Sequence, residues 1–164
     1  MKHTDGTLTL PIGSKAAGAK LHLQKWLPDD DPKAIILLVH GYAEHAGRYQ
    51  YFAEHCVGKG YAVFAVDHWG HGQSDGTPGY VPGFSVFHDG VDQLLACAKQ
   101  DFPELPVMLV GHSMGGLISA TYLLSGQSKF TACVLSGPAI KAAEEPSAFL
   151  KAISGFLSRF FPKF

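Results

Sequence analysis

Residues 21–26 alternate: Leu21 and Leu23 face one way, His22 and Gln24 the other, which is the period-two pattern of a half-buried strand. Pro28 and the acidic turn Asp29-Asp30-Asp31-Pro32 end it. Three short runs farther on, Ala34–Val39, Tyr61–Val66 and Val107–Val110, are apolar on both faces, as strands covered from both sides of a parallel sheet are. A fourth, Thr131–Leu135, reads as another buried strand and stops at Ser136-Gly137-Pro138. Between these runs the period changes. Tyr49, Phe52, Ala53 and Cys56 recur at helical spacing before Gly58. Phe84, Phe87, Val91, Leu94, Leu95, Ala98 and Phe102 form a longer stripe closed by Pro103, and residues 117–124 allow a third helix ahead of Gly126. Strand, helix, strand, helix, strand, helix, strand predicts an α/β fold: a mostly parallel sheet with helices on both faces.

Composition narrows the class. With 164 residues, 46% hydrophobic and 16% charged, the chain can bury one core and hardly two, so one domain is expected. Its 13 Lys and Arg against 14 Asp and Glu leave a net charge of -1 with no run of one sign, which argues against nucleic acid as a partner. Cys56, Cys97 and Cys133 are odd in number and far apart, so they read as small core residues in a reducing compartment rather than a disulfide framework or zinc site. Residues 1–10 lack the basic start and apolar stretch of a secretory signal, and Ala34–Val39 is far shorter than the ~20 residues that cross a bilayer. A cytoplasmic protein without cofactor, metal or obligate protein partner is expected.

The residues that could do chemistry stand at strand ends. Gly111-His112-Ser113-Met114-Gly115 matches G-x-S-x-G between an apolar strand and an apolar helix. A sharp strand-to-helix turn would expose the Ser113 oxygen, and the helix N-terminus behind it would offer free N–H groups to a developing oxyanion. A plain glycine-rich helix start is the bland alternative. A phosphate loop is disfavoured, since G-x-x-x-x-G-K-S/T does not occur. The second feature is His40-Gly41-Tyr42 directly after the first buried strand, where a backbone N–H from Tyr42 could join that of Met114. His68-Trp69-Gly70-His71 and His40 to His45 lack the H-E-x-x-H helix or cysteine pair of a metal site. Asp67 could be an acid, but turn chemistry explains it as well.

Three blocks together carry a resemblance: His40-Gly41-Tyr42-Ala43-Glu44-His45-Ala46-Gly47-Arg48-Tyr49, Asp67-His68-Trp69-Gly70-His71-Gly72-Gln73-Ser74 and Gly111-His112-Ser113-Met114-Gly115-Gly116. In this order, over roughly residues 20–140, the chain resembles the monoacylglycerol lipase and lysophospholipase family of the α/β-hydrolase fold. The resemblance implies hydrolysis of a carboxylic ester of a lipid through an acyl-enzyme on Ser113, with the N–H groups of Tyr42 and Met114 as the oxyanion hole.

It also implies an acid and a histidine after the serine, and here the chain departs from the pattern. From Met114 to Phe164 there is no aspartate and no histidine, and the only carboxylates are Glu144 and Glu145. The triad acid and base are therefore expected to be absent from this chain, with the sheet incomplete at its C-terminal end. Residues 1–140 would be the front half of the core domain and 141–164 the start of a cap. All nine histidines precede Ser113; His112 is expected to point away from the serine, and His40, His45, His68 and His71 to orient loops. In the tail, Phe149, Ile153, Phe156, Leu157 and Phe160 share one helical face, read either as a peripheral membrane contact of the 149–160 helix or as a face that packs on the core or cap. Rival readings are a peptidase, thioesterase or acyltransferase on the same fold, or a non-catalytic fragment that binds lipid or a partner. A dehalogenase or epoxide hydrolase would need an aspartate where Ser113 stands.

Overall fold

The structure, a computed structural model, describes residues 1–141 and 147–160. Six strands form one sheet in the order β1-β2-β4-β3-β5-β6. Those strands are β1 (Lys2–Thr9), β2 (Lys20–Leu27), β3 (Ala34–Val39), β4 (Tyr61–Val66), β5 (Val107–His112) and β6 (Ala132–Ser136). β4, β3, β5 and β6 are parallel, whereas β1 and β2 run antiparallel at one side. The helices are α1 (Gln50–Val57), α2 (Ser85–Asp101), α3 (Met114–Gly126) and α4 (Ala148–Phe160).

All six residues of β3 are buried, because side chains on both faces find cover. Ile35, Leu37 and Val39 join Leu21, Leu23, Phe64, Leu94, Leu109 and Ile118 in the core under α2 and α3. Ile36 and Leu38 point the other way, into a smaller core with Trp26, Val63, Ala65 and the Ala53 and Val57 side chains of α1. β3 and β4 thus became parallel strands because each alternates its side chains between two packed cores.

Three expectations are corrected. β1 was not foreseen: its polar alternation carries a strand because it pairs with β2 along its whole length, from Lys2 opposite Leu27 to Thr9 opposite Lys20. β6, expected as a buried strand, is exposed at all five positions, since it borders the sheet and no described element lies outside it. Cys133, on that strand, is accordingly exposed and not a core residue, while Cys56 and Cys97 are half-buried. Glu144 and Glu145 lie outside the described residues.

Parallel strands bring their carboxyl ends to one edge of a sheet, the edge where α/β proteins place ligands. His40 and Gly41 follow β3, Asp67 and His68 follow β4, and Ser113 follows β5, so the three sequence blocks meet there.

Candidate active site

Ser113 is the single residue between β5 and α3, at φ 52 and ψ -117. An L-residue in that region is strained by about 1–3 kcal/mol and persists only where its surroundings fix it. They do so here: the Ser113 N–H donates to the Ser136 carbonyl at 3.0 Å, and its carbonyl accepts from Ala139 at 3.0 Å and Leu117 at 3.2 Å. Two glycines permit the turn. A Cβ on Gly111 would stand 2.5 Å from both the Gly115 carbonyl and Ser119 Oγ, and one on Gly115 would strike the Val39 and His40 carbonyls. Helix α3 can therefore start directly behind Ser113, three residues earlier than its apolar period indicates.

The loop after β3 lies against this turn. A Cβ on Gly41 would be 3.2 Å from the Ser113 Cβ and 3.4 Å from the His112 carbonyl. The Gly41 N–H donates to Glu44 Oε1, which also accepts from the Tyr49 hydroxyl at 2.7 Å. Burial pushes the Glu44 carboxyl upward, but the hydrogen bonds from Tyr49 and Gly41 outweigh it and hold the group below its ordinary range. Ala43, at φ 54, is the other non-glycine residue with positive φ among those described. Among the described residues, the N–H groups of Tyr42 and Met114 have no acceptor.

Buried histidines join this loop to the one after β4. His40 is fully buried, its Nε2 accepts the His68 backbone N–H at 2.9 Å, and its Nδ1 lies 2.8 Å from the Gly41 carbonyl. A backbone N–H can only donate, so the His40 proton is on Nδ1 and is donated to Gly41. His68 Nε2 in turn lies 3.1 Å from the His40 carbonyl and donates to it. His71 Nδ1 is 3.0 Å from the Trp69 carbonyl, and its Nε2 is buried without a partner among the described residues. Burial drives the pKa of His40 down to about 4 and that of His68 well below its ordinary value, so both rings are neutral near pH 7.

Stability should respond to acid. In the unfolded chain both imidazoles take up a proton near 6.5; in the folded one they resist it, so below that value the unfolded state binds more protons. We expect stability to be flat above pH 6.5 and to fall progressively toward pH 4, with His40 alone contributing about 3 kcal/mol to the loss. Urea midpoints across this range check it; unchanged midpoints would contradict the neutral, buried rings.

Asp67 is a loop organiser. Its buried carboxylate accepts the N–H groups of Ala46 at 2.7 Å and Gln73 at 2.9 Å and faces His22 Nδ1 at 3.3 Å. His112 is exposed, with Nδ1 3.3 Å from Ser136 Oγ and its ring edge-on to Tyr49. No imidazole or carboxylate among the described residues is hydrogen-bonded to Ser113 Oγ. Glu44 was not singled out in the sequence; its signal was a carboxylate three residues after Gly41. A cleft of about 420 Å³ opens beside these loops, lined by Tyr42, Glu44, His45, His71, Pro78 and Gly79 among others.

Residues 30–164 match the family described as Serine aminopeptidase, S33. The chain is 39% identical over 145 residues to a monoacylglycerol lipase of Mycolicibacterium smegmatis, covering 88% of this chain and 52% of that protein. It is 39% identical over 151 residues to the monoglyceride lipase of Mus musculus, covering 92% and 50%. A crystal structure of the Paleococcus ferrophilus monoacylglycerol lipase superposes with a TM-score of 0.72 at 31% identity, over 87% of this chain and 52% of that one. The chain spans about half the length of the curated relatives it matches. It belongs, on its α/β-hydrolase fold and its match over residues 30–164, to the family described as Serine aminopeptidase, S33.

Proposed function

We propose that this chain carries the nucleophile half of a serine hydrolase that cleaves carboxylic esters of lipids, monoacylglycerols or lysophospholipids, through an acyl-enzyme on Ser113. The observation that carries the reading is Ser113 held at positive φ at the head of α3, with the N–H groups of Tyr42 and Met114, which have no acceptor among the described residues, as oxyanion donors. In the reaction, Ser113 Oγ forms a bond to the acyl carbon and its proton passes to a base. The carbonyl oxygen becomes an oxyanion, collapse expels the protonated alcohol, and water releases the acid from Ser113. The base and its supporting acid are not in this chain, which has no Asp or His after Ser113. Residues 1–140 are read as the front half of the core and 141–164 as the start of a cap. Similarity to proteins named monoacylglycerol lipase supports ester over amide chemistry. Extended with the C-terminal half of such a relative, the chain is expected to release fatty acid from mono-oleoylglycerol and to leave aminoacyl arylamides untouched. Cleavage of the arylamides in preference would favour the peptidase reading.

The 149–160 helix is further read as a peripheral membrane contact of a cytoplasmic enzyme. No helix among the described residues is long and apolar enough to cross a membrane. Helix α4 exposes Phe149, Ile153, Phe156, Leu157 and Phe160, with Lys151 and Arg159 beside them, a composition suited to an anionic interface. Phe156→Asp is expected to abolish co-sedimentation with phosphatidylglycerol vesicles without changing the melting temperature. Equal sedimentation of both forms would refute the contact.

A further inference from the structure

The cleft between the loops after β3 and β4 has a base unlike its rim. Tyr42, His45, Pro78 and Gly79 are exposed around it and Glu44 is half-buried, whereas His71 is only 9% exposed. His71 Nδ1 lies 3.0 Å from the Trp69 carbonyl, which can only accept, so Nδ1 carries the proton of the neutral ring and Nε2 is left as a lone pair. That lone pair is buried with no partner among the described residues, a costly position for an acceptor to which nothing donates. Two more acceptors line the same cleft. Glu44 engages the Gly41 N–H and the Tyr49 hydroxyl through Oε1, which leaves Oε2. Burial disfavours its charge, but those two hydrogen bonds outweigh burial and keep the carboxylate ionised near neutral pH. The Tyr42 ring stands edge-on to His71, 5.6 Å between centres, and a Cβ on Gly79 would come 3.0 Å from the Tyr42 hydroxyl, so the phenol walls the cleft from His71 to Gly79. Among the described residues, no Lys or Arg lines it.

We propose that this cleft of about 420 Å³ binds a primary ammonium group, whose N–H donors go to His71 Nε2, the Glu44 carboxylate and the Tyr42 hydroxyl. An alkylammonium carries three donors, one positive charge and no acceptor, the complement of three acceptors and one carboxylate. An anion in the cleft would meet Glu44 with like charge, and a neutral alcohol would leave that charge uncompensated. Two sources supply this chemistry: a free alkylamine, or the head group of an ethanolamine lysophospholipid with its phosphodiester outside the cleft. The second source rests on the reading of Ser113 as nucleophile. Tyr42 would then turn its N–H to the oxyanion and its phenol to the head group, while Gly41 beside it packs on the Ser113 turn.

Titration of the ¹⁵N-labelled 164-residue chain with ethanolamine tests it, at about pH 8, where an alkylamine is still protonated. The His71 ring should show its proton on Nδ1, and added ethanolamine should shift its Nε2 resonance and the Tyr42 and Gly79 amides saturably, with a midpoint on the order of 10 mM for so few contacts. Choline, which has no N–H, and ethylene glycol, which has no charge, should shift Nε2 at most about a tenth as far at the same concentration. The amide of Glu44→Gln can still accept from Gly41 and Tyr49, so this variant should keep its melting temperature while the ethanolamine midpoint rises about tenfold, the effect of losing one charge-assisted contact. A proton on Nε2 in the native chain, no saturable shift with ethanolamine, or equal shifts with choline would overturn the proposal. The two sources separate on the chain extended with the C-terminal half of a relative. Hydrolysis of lysophosphatidylethanolamine at least ~10-fold faster than of lysophosphatidylcholine with the same acyl chain assigns the cleft to the head group, and equal rates with ethanolamine binding intact assign it to a free amine. Binding to the 164-residue chain needs no reaction, so an inert Ser113 would count against the functional reading alone.

Discussion

Gly115→Ala should lose about 3 kcal/mol of stability, equivalent to roughly 10 °C in melting temperature for a chain of this size. The added methyl would collide with the Val39 carbonyl and lie 2.5 Å from that of His40, and both are backbone atoms at the end of a strand buried on both faces. No rotamer can relieve such a contact. The start of α3 must lift off the sheet instead, taking Ser113 with it and stretching its bonds to Ser136 and Ala139. Gly155→Ala is the matched control, a helix glycine whose Cβ would meet nothing within 4 Å; it should cost nothing and slightly favour α4. Thermal melts of the pair check the prediction, and equal melting temperatures would mean that α3 does not sit as tightly on β3 as described.

The second large effect concerns turnover. Ester hydrolysis by the 164-residue chain should be at least ~10³-fold slower than by a version extended with the C-terminal half of a curated relative. On the proposed reading, the Ser113 turn and the N–H groups of Tyr42 and Met114 would stabilise negative charge in the transition state. Among the described residues, no imidazole or carboxylate is hydrogen-bonded to Ser113 Oγ to take its proton. His112, the histidine nearest in sequence, faces Ser136 and Tyr49, while His40 and His68 are buried and use their ring nitrogens on the backbone. Asp67 is occupied by two N–H groups and His22. A neutral serine hydroxyl that keeps its proton is a weak nucleophile at any neutral pH, so initial rates on a short-chain ester, compared at equal folded concentration, should differ by this factor.

Much of this was legible in the sequence because burial on two faces leaves a simple trace. Ala34–Val39 and Tyr61–Val66 are uninterrupted apolar runs, and the strands observed have the same bounds. The turn at Ser113 was legible because glycines are placed where backbone approaches backbone, at Gly111 and Gly115. β1 was not, since Asp5 and Gly6 carry little strand preference and the order comes from the partner strand, with Gly6 opposite Leu23. Exposure of β6 was equally hidden: an apolar run shows that a face can be buried, not that anything covers it. The network behind the loop after β3 lay beyond pattern reading for another reason. His40 and His68 are 28 residues apart, and Asp67 reaches both Ala46 and His22, so contacts of this kind are set by the meeting of strand ends rather than by local spacing.

One measurement tests the central claim, that Ser113 is the nucleophile of a site this chain does not complete: labelling by a fluorescent fluorophosphonate, followed over time and mapped to a residue. The extended version should label rapidly and at Ser113, Ser113→Ala should abolish the signal, and the 164-residue chain should label slowly or not at all. Rapid labelling of the 164-residue chain at Ser113, or labelling of the extended version that survives Ser113→Ala, would contradict the account.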